Sequence, residues 1–323
     1  MSPIGRFFFA TALAAIFSAN GFAQSYPTRP IKLVVAQAAG GQTDVVARMV
    51  TQRLSEILKQ PVVVENRGGV GGTIGADYVA KAPADGYTIL VGGPSNLAIA
   101  VALFKSLPYD PVRDFVPIGG VARVPYALAV NSKVPAKTIE ELVSYARAHP
   151  GRLTYASAGN GSNSNLASEL FKSMAGIDIV EIPYKGSAPG LADLVGGQVD
   201  IMFTDLSLIL PHARAGTLRL LAGAGDKRSA SLPDLPTMGE QGFPGFAIEP
   251  WYGLLAPAGV PPAIIGRLDE ALAQVLRSDE IRQRILQHGY EPIDESPAAM
   301  GASIRSDIAK YSILVRNAGI KVE

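Results

Sequence analysis

The chain has no cysteine among its 323 residues. That absence excludes disulfides, thiolate catalysis and zinc–sulfur sites. Histidine is nearly as scarce: His149, His212 and His288 lie far apart, and none stands in an H-E-x-x-H pattern. A metal site is therefore not expected. Neither sign of charge dominates, with 29 Lys and Arg against 28 Asp and Glu. With a nearly balanced charge and no basic run, nucleic acid and anionic membrane surfaces are poor partners. There is no tandem repeat and no low-complexity segment. No G-x-S-x-G nucleophile context occurs. The Gly-rich run Arg67–Gly75 lacks a G-K-[ST] ending, and Ile74 stands where G-x-G-x-x-G would need glycine. Its glycines fit a tight loop that packs a helix onto a sheet. No catalytic constellation and no cofactor signature emerges.

The first residues set the compartment. Arg6 is the only charge before the apolar run Phe7–Phe17, and Gly21-Phe22-Ala23 follows with small residues at the positions a signal peptidase reads. A charged start, a short apolar core and a small-x-small exit form a secretory signal peptide. The run falls short of the about 20 apolar residues that cross a bilayer, so no membrane insertion is expected. Cleavage after Ala23 would leave a periplasmic product beginning at Gln24. Removing one Arg leaves 29 − 1 = 28 basic against 28 acidic residues.

The remaining 300 or so residues are enough for two lobes, each with its own core, and the 48% hydrophobic content can fill them. Strand-like and helix-like stretches alternate. The runs 31–35, 62–65, 88–92, 126–131, 154–157, 179–182, 199–204 and 218–224 read as strands. Helical spacing of Val46, Met49, Val50, Leu54, Ile57 and Leu58 predicts a helix over 44–59. Thr138-Ile139-Glu140-Glu141 is a capping box that opens another at Ile139. Further helices are expected around Leu166–Met174, over 262–277 and over 296–317. Such alternation predicts an α/β fold of mainly parallel sheets flanked by helices.

Two loops stand out at strand ends. Ala36–Asp44 and Ser157–Asn165 are both rich in glycine and in small hydroxyl or amide residues, and both run into a helix. Glycine admits close backbone approach, and the first N–H groups of a helix favour an anion. A carboxylate can be held there without Arg or Lys. Asp44 and Arg48, spaced i and i+4, fit a stabilising pair or cap.

An ordered series of motifs resembles the Bug-type solute receptors of tripartite tricarboxylate transporters. It opens with Tyr26-Pro27-Thr28-Arg29-Pro30-Ile31 and Gly40-Gly41-x-x-Asp44-x-x-Ala47-Arg48. It continues through Glu65-Asn66-Arg67, Asp85-Gly86-Tyr87-Thr88, Tyr109-Asp110-Pro111, Tyr155-Ala156-Ser157, Pro183-Tyr184-Lys185-Gly186, Gly196-Gly197-Gln198-Val199-Asp200 and Leu255-Ala256-Pro257-Ala258-Gly259. The resemblance implies a two-lobed type II periplasmic-binding-protein fold with an organic acid clasped between lobes, acting as a monomer beside membrane transporter subunits. Carried over residue by residue, the first-lobe contacts fall on Gly40, Gly41, Gln42, Thr43 and Asp44, with Ser95 and Asn96. The second lobe offers Ser157, Gly159, Ser162, Asn163, Asn165, Thr204 and Asp205. Asp205 fits a helix cap as well as a ligand contact, Tyr184-Lys185 either flanks the cleft or packs, and Trp251 either fills the core or stacks on the ligand. Two departures bear on the ligand. Ala36-Gln37-Ala38 stands where the family has an aromatic, and Asn165 where it often has His. The implied lobes are 24–124 with 249–323, and 125–248, crossed at Gly119–Asn131 and Phe246–Ala256. Delivery to a transporter, ligand sensing for a two-component kinase and a periplasmic enzyme on the same fold all remain compatible with these residues.

Overall fold

The computed structural model describes residues 26–317, 319 and 320. The expected signal segment and its cleavage point lie outside the described residues. In chain order the elements are β1 Ile31–Val35, α1 Gln42–Leu58, β2 Val62–Asn66, α2 Thr73–Ala80, β3 Thr88–Gly92, a π turn Ser95–Ile99 leading into α3 Ala100–Leu103, β4 Phe115–Arg123 and β5 Tyr126–Asn131. Then follow α4 Ile139–Ala148, β6 Thr154–Ser157, α5 Asn163–Ala175, β7 Val180–Pro183, α6 Ser187–Gly196, β8 Ile201–Asp205, α7 Leu206–Arg214 and β9 Leu218–Gly223. The chain closes with β10 Trp251–Pro257, α8 Pro262–Arg277, α9 Asp279–Gln287, β11 Glu291–Pro292 and α10 Pro297–Asn317.

These strands form two sheets. One is six-stranded, ordered β11-β4-β10-β3-β1-β2, and the other five-stranded, ordered β7-β6-β8-β5-β9. The parallel pairing expected from strand–helix alternation runs through β2-β1-β3 and β7-β6-β8. Elsewhere the pairing is antiparallel, because β4, β5 and β10 enter their sheets by passing between them rather than through a helical crossover. Each sheet is therefore mixed. The chain leaves the first sheet after β4 and returns at β10, and a bond from Val124 N to Pro250 O (2.8 Å) ties the two passages together.

Burial explains the layering. Central strands such as β1 are buried on both faces, which suits their continuous Ile, Leu and Val runs. The apolar stripe of α1 (Val46, Met49, Val50, Leu54, Leu58) lies on one face of the six-stranded sheet. Ala76 and Val79 of α2 lie with Met300 and Ile304 of α10 on the other. Each Val, Leu, Ile or Met among them contributes about 1.5–3 kcal/mol on burial. The α4 start behaves nearly as its motif predicts: Glu141 N donates to Thr138 Oγ1 at 3.1 Å, but the Glu141 carboxylate takes Lys137 N rather than the cap residue's own N–H. The main core runs unbroken from Ile31 and Leu33 through Val124, Tyr126 and Tyr252 to Leu128 and Phe203. The passages between sheets are thus packed interior, not loose linkers.

Candidate ligand-binding site

Loops leaving the C-terminal ends of β1, β3, β6 and β8 converge between the sheets, the place where ligands bind in open α/β sheets. Their contacts show the two halves closed on each other. Asn163 N donates to Ser95 Oγ at 3.0 Å, and Ala38 N donates to Lys185 O at 3.3 Å. A cavity of about 10 Å³, room for a single water, remains among Gln37, Thr43, Gly71, Ser95, Asn96 and Tyr252.

At the centre is Gln42, the first residue of α1. Its Nε2 donates to Tyr126 Oη at 2.5 Å and to Tyr252 Oη at 2.6 Å, while its Oε1 is buried with no partner. Tyr126 opens β5 and Tyr252 lies near the start of β10, so one amide is tied to both passages between sheets. Burial pushes both phenols above their ordinary pKa, reinforced at Tyr126 by Tyr252 and at Tyr252 by Asp205. Both stay protonated at any physiological pH. Asn163, the first residue of α5, lies within hydrogen-bonding reach of both phenols and pulls against the rise that burial causes. Neither its Nδ2 nor its Oδ1 makes a hydrogen bond of proper geometry, although the residue is buried. Ser187 and Thr204 also carry buried hydroxyls without partners. Unpaired groups of this kind cost roughly 1–3 kcal/mol each.

The other anticipated residues divide into two sets. Thr43 Oγ1 donates to Gln37 Oε1 at 2.9 Å, and both residues line the cavity. Gly40 has φ +77°, and its N donates to Asp44 Oδ2 at 3.0 Å. Gly41 caps α1 in an extended conformation. Asp44 also accepts from Arg48 Nε (2.9 Å) and Asn66 Nδ2 (3.0 Å). Burial alone would raise its carboxyl, but the bonds from Arg48, Gly40 and Asn66 outweigh it and hold it below the usual range. This carboxylate therefore shapes the loop. Ser95 bridges to Asn163, whereas Asn96 Oδ1 accepts from Gly93 N at 3.1 Å within its own turn. In the second loop Ser157 Oγ donates to Glu181 Oε1, and Asn165 Nδ2 donates to the same oxygen at 2.9 Å. Gly159, at φ +99°, donates to Ser157 Oγ at 3.1 Å. Ser162 Oγ caps α5 by accepting from Asn165 N at 3.1 Å, a cap that stabilises by about 1 kcal/mol. Ser157, Ser162 and Asn165 thus spend their side chains on the loop itself.

Asp205 is a helix cap: it accepts from Ser207 N at 2.8 Å and from Tyr290 Oη. Burial raises its carboxyl to about 7 against the pull of those bonds. Because β8 belongs to one sheet and Tyr290 adjoins β11 of the other, this pair latches the halves together. Tyr184 packs with its hydroxyl on Asp193 Oδ2 (2.6 Å), and the exposed Lys185 reaches across with its backbone only. Trp251 fills the core, its Nε1 donating to Asp307 Oδ2 at 2.7 Å. The Gly-rich run packs closely as expected, since a Cβ on Gly75 would fall 2.8 Å from Ala36 Cα. Tyr126, Tyr252, Ser187 and Tyr290 were not among the anticipated contacts; only Tyr126 and Tyr252 lie near the passages between sheets.

Two mixed sheets joined by two passages, with loops from both meeting over a polar cleft, define a periplasmic-binding-protein fold. The chain belongs to the tripartite tricarboxylate transporter family of receptors, whose model matches residues 46–320. It is similar to the protein BugT of Bordetella pertussis (strain Tohama I), with 38% identity over 100% of this chain and 98% of that protein. Among solved structures it is similar to R. palustris Rpa4515 with adipate, at TM-score 0.87 and 40% identity, covering 92% of this chain and 99% of that one. It is also similar to MatC of Rhodopseudomonas palustris with bound malate, at TM-score 0.86 and 35% identity, covering 90% and 100%.

Proposed function

We propose that this receptor captures a small organic carboxylate between its lobes in the periplasm and hands it to a membrane transporter. The observation that carries the reading is the buried cluster of neutral hydrogen-bonding groups around Gln42 and Asn163, where loops of both halves meet. Among the described residues no Lys or Arg is buried. Backbone N–H groups, amides and hydroxyls would therefore hold the anion, with no ion pair. Rpa4515 with adipate and MatC with malate support the ligand class. The lobes are residues 24–124 with 249–323, and 125–248, a division supported by the strand membership of the two sheets.

Two expected results follow from this reading. In a melting screen, small carboxylates stabilise the protein and neutral sugars and amides do not. A ligand at 100 times its dissociation constant adds about 2.7 kcal/mol to the folded state, well within detection. Stabilisation by sugars alone would refute the carboxylate assignment. The export reading predicts that the protein recovered from the periplasmic fraction begins at Gln24. N-terminal sequencing checks it, and a retained Phe7–Phe17 run in a membrane pellet would contradict it.

A further inference from the structure

Gln42 opens α1 directly beside Thr43, which lines the cavity, yet Gln42 itself does not line it. Its buried amide is tied instead to Tyr126 Oη at 2.5 Å and Tyr252 Oη at 2.6 Å. Turning the amide over keeps both ties, with its oxygen accepting from the two phenols. Tyr252 lies in β10 of the six-stranded sheet, the one α1 packs against, whereas Tyr126 lies in β5 of the five-stranded sheet. The first tie is therefore internal to one half, and the second crosses between halves. Asn163 stands in the mirror position: it opens α5 on the other half, is buried, does not line the cavity, and lies within reach of the same two phenols.

A hydrogen bond inside one rigid half persists when the lobes part, whereas one that crosses exists only while they are together. Gln37 and Thr43 of the same loop face the cavity, so whatever settles there also settles the start of α1. We propose that Gln42 is a positioning residue for capture: without touching the ligand, it links the first loop to the start of β5 through Tyr126 and so fixes the closed arrangement of the lobes. The proposal rests on the carboxylate-receptor reading above and adds the part that converts occupancy of the cleft into closure. Tyr126 does not line the cavity either, so the pair can be altered without altering the cavity wall.

A double-mutant cycle tests it, with malate and adipate titrated by calorimetry into the parent, Gln42→Leu, Tyr126→Phe and the double variant. Each single substitution should weaken binding about tenfold, because the crossing tie is lost and its buried polar partner is left unmet. The double variant should also lose about tenfold rather than a hundredfold, since both changes remove the same tie. In denaturant unfolding without ligand the two substitutions should simply add, because the open form lacks that tie. If Gln42→Leu disturbs the melting curve, Gln42→Met takes its place in the cycle. Losses that multiply to about a hundredfold would put Gln42 on the ligand or on a separate path. Affinities equal to the parent's, with coupling seen only in unfolding, would make the tie a fixed contact within the fold. Either result overturns the proposal and leaves the carboxylate receptor standing. Failure of every acid, malate and adipate included, to bind the parent overturns both.

Discussion

Gly71→Ala should weaken binding of the best acid by about 100-fold or more, with a much smaller loss of fold stability. Gly71 sits at φ +62°, and a Cβ there would lie 2.6 Å from Asn160 O and 2.8 Å from Gly161 C, both backbone atoms of the opposite half. A left-handed alanine costs roughly 1–2 kcal/mol whether the lobes are open or closed. The collision exists only when they are closed, so it acts on closure. Shifting that equilibrium by about 2.7 kcal/mol lowers the competent fraction, and with it the apparent affinity, about 100-fold. Gly41→Ala makes a useful contrast. Gly41 has an ordinary φ of −78°, and its Cβ would meet Ser187 Oγ at 3.2 Å and Ala38 O at 3.3 Å, contacts that small shifts relieve. Titration calorimetry beside small-angle scattering gives the answer. Unchanged affinity in Gly71→Ala, or full ligand-dependent compaction, would show that the lobes do not close as the structure has them.

Asp205→Asn should abolish a large part of the protein's pH-dependent stability. The Asp205 carboxyl is raised by burial to about 7 in the folded protein and returns to its ordinary 3.8 when unfolded. Between those values the folded state holds a proton that the unfolded state has lost, so stability falls as pH rises through about 7. The full difference is worth about 4 kcal/mol, of which about 2.7 kcal/mol separates pH 5 from pH 8. Asparagine cannot ionise, yet its Oδ1 can still accept from Ser207 N while its Nδ2 donates to Tyr290 Oη, which then acts as acceptor. The parent should thus be more stable at pH 5 than the variant's own pH dependence predicts, with the two converging in slope above pH 8. Glu249 and Asp307 are also raised by burial and act in the same sense, so the difference between parent and variant isolates Asp205. Denaturant melts at pH 5, 6.5 and 8 measure it. Parallel pH profiles for the two proteins would mean that Asp205 ionises as freely as in the unfolded chain.

The architecture was legible where local pattern and tertiary need agree. The runs 31–35, 88–92, 126–131 and 154–157 are strands with those bounds, and Thr138 caps its helix. Strands β4 and β10 escaped a local reading because they are glycine-rich in part (Gly119-Gly120, Gly253), and a Cβ on Gly253 would strike Met300 and the Gly119 carbonyl. Only the folded sheet explains why glycine stands there. The two glycine-rich loops that meet between the sheets were recognisable from their composition, but composition does not say which side chains turn inward. Asn163 and Asn165 are two residues apart on the same helix turn, and one lies against the phenols of Tyr126 and Tyr252 while the other holds Glu181. The phenols of Tyr126 and Tyr252 come from segments 126 residues apart (252 − 126), and nothing local brings them to Gln42.

The position of β10 between β3 and β4 sets an order of assembly. Every strand of the five-stranded sheet lies within residues 126–223, one uninterrupted stretch. That half can pair its strands without waiting for residues 251–257. The six-stranded sheet cannot: β3 and β4 share no edge, and each must wait for residues 251–257 to fill the slot between them. Loop closure over such sequence distances is slow. The strands within residues 31–123 should therefore remain without their final sheet, their β-edges exposed, until the last quarter of the chain arrives.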